Sequence, residues 1–164
     1  MIEDAMTRAR RRLSGDRWGL LSLRLMIGFG FVAHGYAKLA RGPDSFAAIL
    51  AAIGIPAPGP AAWLTSILEL LGGVSLMLGA GVVPLSLPLG AIMATAMFAV
   101  HLRYGFSSVR LKAMTAAGAE FGPIGYELNL LYLSGLVTLA LSGSSPLSVD
   151  RWLEARKRRR GAAA

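Results

Sequence analysis

Arg24, His34 and Lys38 stand in one apolar stretch of this chain, Glu69 in a second, His101 and Arg103 near the end of a third, and Glu127 with Asn129 near the start of a fourth. Imidazoles, carboxylates and cations on separate apolar segments can pass protons, hydrogen-bond a carbonyl such as that of a quinone, or hold a small anion. An ionisable side chain at bilayer depth costs at least about 2.5–3.5 kcal/mol, so such residues turn inward and pair. A plainer reading uses the same residues as buried ion pairs, Glu69 with Arg24 or Lys38 and Glu127 with Arg103, that fix helix register. Small residues fix register more cheaply, and Gly28, Gly30, Gly72 and Gly73 are present for it. A metal site would draw on His34, His101, Glu69 and Glu127. These lie on four segments with no short-range ligand motif, so no metal is expected.

The segments that must position these groups are membrane spans. Of 164 residues, 54% are hydrophobic and 16% charged, against roughly 45–50% and about 25% in an ordinary soluble domain. Cysteine is absent, which excludes disulfides, thiolate nucleophiles, Cys-held clusters and lipidated cysteines. Attachment to a bilayer must come from the polypeptide. Four segments reach the ~20 residues a span needs: about 18–39, 61–83, 85–104 and 124–142. Pro60 precedes the second, and Pro84 is expected to divide the second from the third. The fold expected is all-α: a polytopic membrane protein, an antiparallel bundle of four transmembrane helices over 18–142, with a basic segment 1–17 before it and a basic tail 143–164 after it.

Between the first two spans, Asp44 or Ser45 can cap a short interfacial helix whose Phe46, Ile49, Leu50 and Ile53 form one stripe. Residues 54–60 (GIPAPGP) then turn the chain back. Trp18, Tyr36, Trp63, Tyr104, Tyr126 and Tyr132 mostly fall near span ends and read as an interfacial aromatic belt, the alternative being that a few flank an apolar ligand such as a quinone ring.

Orientation follows from charge. Eleven of the 17 basic residues lie in the two tails, five of them between Arg8 and Arg17 and six between Arg151 and Arg160. The positive-inside rule makes both tails cytoplasmic in an inner membrane, as an even number of spans requires. The first span is too long for a secretory h-region and carries Arg24, His34 and Lys38, so no cleaved signal is expected. Beside a span, the run Arg156 to Arg160 reads as a topology determinant drawn to anionic lipid, and no nucleic-acid partner is expected. With the tails inside, His34, Lys38, His101, Arg103 and Glu127 share the outer end. At 1.5 Å per residue, Glu69 lies about 12 Å below the outer surface, and Arg24 about 9 Å from the inner one. Depth therefore predicts an outward-facing polar pocket, with Arg24 balancing Glu69.

With these residues placed, the chain resembles the DoxX family of small four-helix bacterial membrane proteins, over about Leu23 to Trp152. The resemblance rests on RLMIGFGFVAHGYAKL from Arg24, Phe46 with the GIPAP turn, ELLGG from Glu69 followed by Gly79, Glu127 before LNLLYLSGLVTLALSG, and Ser148, Val149 and Asp150 (SVD). It carries Arg24, His34, Lys38, Glu69 and Glu127 over as motif positions, while His101 enters from depth alone. It implies a membrane component of redox systems. Relatives include a subunit of a thiosulfate:quinone oxidoreductase, a methylamine-utilisation protein, and a partner of superoxide dismutase and a sulfurtransferase in oxidant defence. No haem, flavin or iron–sulfur motif is present, so the chain is expected to be at most a membrane subunit of an oxidoreductase. Quinone is the cofactor considered, no covalent cofactor is expected, and the expected partners are the bilayer, a redox protein and further copies of the chain. The alternatives are a non-catalytic scaffold recruiting an enzyme and a small-solute or proton transporter. For the transporter, no inverted repeat is visible.

Overall fold

The computed structural model describes residues 18–143 and 145–161; the expectations for the segment 1–17 fall outside them. The chain is mostly helical. In order it forms α1 (Trp18–Ala40), α2 (Pro43–Ala52), α3 (Pro58–Leu78) and α4 (Val82–Ala96), the last prolonged by a π-type turn, Met97–His101, and a 3-10 turn, Leu102–Tyr104. Strands β1 (Leu111–Thr115) and β2 (Gly118–Phe121) follow, then α5 (Glu127–Ser142) and α6 (Val149–Gly161).

Among the described residues, three helices are long and apolar enough to cross a membrane: Trp18–Ala40, Pro58–Leu78 and Val82–Tyr104. The fourth expected span is the shorter apolar helix α5, of 16 residues. It begins at Glu127 because the residues before it are pinned to a loop. The N–H groups of Gly125, Tyr126 and Glu127 donate to the carbonyls of Ser107, Gly105 and Phe106 at 2.9, 3.1 and 3.0 Å. N–H groups at a helix start have no partner within the helix, so the loop satisfies them.

The boundary between the second and third spans is not at Pro84 as expected. Gly79 and Gly81, with φ of 67° and 63°, adopt the left-handed conformation and end α3, and Ala80 N–H closes back on Ser75 O at 2.9 Å. Pro84 then sits in the first turn of α4, where a missing N–H costs nothing. The short helix expected between the first two spans is found as α2, with a different cap. Gly42 precedes it, Pro43 opens it, and Ser45 Oγ donates back to Gly42 O at 2.7 Å. Leu50 is buried, Phe46 and Ile53 are half-buried, and Ile49 is exposed.

Helix packing rests on small residues. A Cβ on Gly28 would lie 2.7 Å from Gly73 O, and one on Gly35 would lie 2.5 Å from Leu70 N, so α1 and α3 touch backbone to backbone. Their contacts descend along α3 as they rise along α1. Between lipid-facing helices this close van der Waals fit replaces the hydrophobic drive available in water. On the other side, Gly90 of α4 faces Leu133 and Leu136 of α5, and the buried Asn129 donates to Met93 O at 3.3 Å. Ile27, Phe31, Leu76, Leu89, Met93, Leu136 and Leu139 form the core. Met26, Phe29, Leu64, Leu71, Leu87, Phe98 and Leu141 are exposed, an apolar exterior suited to a bilayer.

Two elements add to the expected helices. β1 and β2 pair as an antiparallel hairpin, Met114 opposite Ala119, and the basic tail is a helix over Val149–Gly161.

Candidate functional site

Close packing of α1 on α3 decides the site. With Gly35 seated against Leu70, the next ionisable group along α1 meets Glu69: Lys38 Nζ donates to Glu69 Oε2 at 2.5 Å. The Glu69 side chain is 1% exposed and that of Lys38 20%. From α2, the Phe46 ring takes the same ammonium on its face, 4.5 Å from the centroid. Lys38 is thus held between a buried carboxylate and an aromatic roof. The largely buried cation offsets part of the desolvation cost of the carboxylate beside it.

His34 stands one turn before Lys38 on α1, its ring edge-on to Tyr132 of α5 with centroids 6.3 Å apart. Tyr132 is also edge-on to Phe31 at 5.3 Å. Its hydroxyl fills the space over Gly30, where a Cβ would clash with it outright. Tyr132 therefore belongs to the interior, which corrects its placement in the interfacial belt. Its spacing of three, seven and ten residues in the run Asn129, Tyr132, Leu136 and Leu139 marks the inner face of α5 and was the available signal. Phe46 was foreseen as part of the α2 stripe, but its seat over Lys38 was not.

Arg24 does not balance Glu69. It lies fourteen residues before Lys38, about 21 Å along the helix. There it is buried, with Nη1 donating to Ser145 Oγ at 2.5 Å and Nη2 to Leu147 O at 3.0 Å. The same end explains the SVD sequence. Gly81 has no side chain with which to cap α4, and Asp150 supplies one from 68 residues beyond the helix start, accepting the N–H groups of Gly81 and Val82 at 2.9 and 3.2 Å. Asp150 N–H returns a bond to Gly79 O at 3.0 Å, and Ser148 Oγ accepts Arg151 N–H at 3.2 Å to cap α6. Replacing Asp150 by Ala is expected to cost about 0.5–2 kcal/mol, read as a lower unfolding midpoint in mild detergent, with Asp150→Asn retaining part of it.

Glu127 and His101 tie the connecting segment. Glu127 Oε2 accepts Ser108 N–H at 2.8 Å, and His101 Nδ1 lies 3.2 Å from Ile124 O. Arg103 stacks over Tyr104 at 4.9 Å instead of forming the expected pair with Glu127. The structure thus pairs Lys38 with Glu69, leaves His34 exposed and edge-on to Tyr132, and commits Arg24, His101 and Glu127 to bonds elsewhere. A cavity of about 390 Å³ lies at the Arg24 end, lined by Val82, Pro84, Leu139, Asp150, Glu154 and Lys157, and an apolar groove of about 340 Å³ runs between α4 and α5 past Ser86, Gly90, Leu133 and Leu136.

Apolar helices packed around a buried lysine–glutamate pair define an integral membrane protein. The chain belongs to the DoxX family, whose model matches residues 19–102. The match takes in α1 to α4 with Arg24, His34, Lys38, Glu69 and His101, while Glu127 and the SVD sequence lie beyond it. No curated protein and no solved structure matches the chain.

Proposed function

We propose that the chain is an antiparallel four-helix protein of the bacterial inner membrane, both termini cytoplasmic, serving as a membrane subunit or accessory component of a quinone-linked redox or oxidant-defence system. α5 is the fourth span in this reading. At 1.5 Å per residue its 16 residues reach about 24 Å, and the pinned segment before it supplies the remaining depth. The observation that carries the reading is the Lys38–Glu69 pair under Phe46, with His34 one turn earlier on α1 and edge-on to Tyr132. A quinone headgroup entering from the outer leaflet would stack against aromatic rings, take hydrogen bonds from Lys38 and His34, and exchange protons with Glu69.

Glu69→Ala and His34→Ala are expected to lower the quinone retained by gently extracted protein at least tenfold, measured by native mass spectrometry, and to remove protection of oxidant-stressed cells, with membrane levels unchanged. Wild-type protein that carries no quinone, together with variants that protect as well as wild type, would sink the reading. A scaffold that recruits a partner enzyme is the second reading. It is favoured by Arg24 and Glu127, whose bonds are spent on holding the fold; deletion of residues 156–160 would then matter more than either site variant.

A further inference from the structure

We propose that α6 is a docking helix for anionic phospholipid, held flat across the cytoplasmic end of the helices. Its 13 residues include six cations, Arg151 and the five consecutive residues Arg156 to Arg160, against the carboxylates of Asp150 and Glu154. Asp150 is already committed to the first N–H groups of α4. Those bonds fasten the root of α6 to the residue at which a candidate span begins. The helix does not lead away from that level: Leu153, Glu154 and Lys157 share a cavity with Val83 and Pro84 at the start of α4 and Leu139 near the end of α5.

No residue of α6 is buried, and Trp152 is 59% exposed with the Arg156 guanidinium over its ring at 5.5 Å. Exposed Val149, Trp152 and Leu153 beside the cations make a surface that is apolar and positive together. Nucleic acid would match the charge alone, whereas a headgroup region with anionic lipid matches both. The proposal rests on the reading of α1, α3 and α4 as membrane spans.

The test uses the full chain with Trp18→Phe and Trp63→Phe, which leaves Trp152 as the single tryptophan of three. It is reconstituted in phosphatidylcholine vesicles holding a fixed fraction of phosphatidylglycerol, with bromine on the chains of one lipid or the other. A cation near the surface favours an anionic lipid about fivefold. Brominated phosphatidylglycerol should therefore quench Trp152 at least about fivefold more per molecule than brominated phosphatidylcholine at low salt. The preference should vanish in 0.5 M salt and in Arg156→Gln/Lys157→Gln/Arg158→Gln. Equal quenching by both lipids overturns the proposal, as does a preference that survives in the triple variant. Equal quenching with an emission shift on adding a single-stranded oligonucleotide assigns the helix to nucleic acid instead. Vesicle flotation after an alkaline wash reports insertion separately: a chain that fails to float defeats the membrane reading, and one that floats without preference defeats only the lipid docking.

Discussion

Lys38→Ala is expected to destabilise the protein by about 3–5 kcal/mol, because it leaves a carboxylate buried without its cation. Glu69 is 1% exposed and Lys38 only 20% exposed, so water cannot compensate as it does for a surface pair. Glu69→Ala is the milder change, since the longer Lys38 side chain can turn its ammonium toward the helix end and the headgroups. Replacing both residues by leucine removes the desolvation cost together with the attraction and should recover most or all of the loss. The measurement is a four-way cycle of unfolding midpoints in a denaturing-detergent titration. Additive single effects would show that the two side chains are not coupled. The double variant also separates function from folding: if the pair serves chemistry, a stable leucine double variant is inactive, whereas a pair kept only for register leaves activity intact.

Gly73→Leu is expected to abolish the folded state, and Gly73→Ala to cost at least the roughly 1–3 kcal/mol typical of overpacking. A Cβ at this position would stand 2.6 Å from Gly28 O and 2.7 Å from Val32 N. Those neighbours are backbone and cannot swing aside as a side chain would, so α1 and α3 must separate. Separation also pulls Lys38 away from Glu69, which makes the site and the packing fail together. Gly19→Ala is the control, with nothing within 4 Å of its added carbon; it should be neutral or stabilising by up to about 1 kcal/mol. Retention of an intact, monodisperse Gly73→Leu protein would refute the close approach of the two helices.

The apolar runs and their terminators were legible because each is a local property. A stretch such as Trp18–Ala40 declares its length and hydropathy in its own residues, and the α2 stripe shows in a single period. Depth, counted at a fixed rise per residue, brought Lys38 near Glu69 without any knowledge of packing. The β1–β2 hairpin left less to read: its flanks carry no strong alternation, and its turn, Ala116–Ala117, lacks the Asn-Gly or Asp-Gly pair that marks such hairpins. The break between α3 and α4 was misplaced because proline is the louder signal, yet at a first helical turn it is compatible with helix, while two left-handed glycines are not.

Sequence by itself thus determined membership of the DoxX family over α1 to α4, the apolar spans and the set of ionisable residues that had to find partners. Which partner each one found was decided by tertiary structure. Arg24 and Glu69 are a natural pair by charge, but the Arg24 guanidinium lies against Gly79, ten residues beyond Glu69, and the two side chains cannot meet across about 15 Å of apolar interior. Arg24 instead takes Ser145 and Leu147 from beyond α5, and Glu69 takes Lys38 because Gly35 lets the two backbones touch one turn away. Charge and periodicity belong to one segment at a time. Pairing depends on the rotation and separation of two helices, and these are set by the glycines and side chains at their contact.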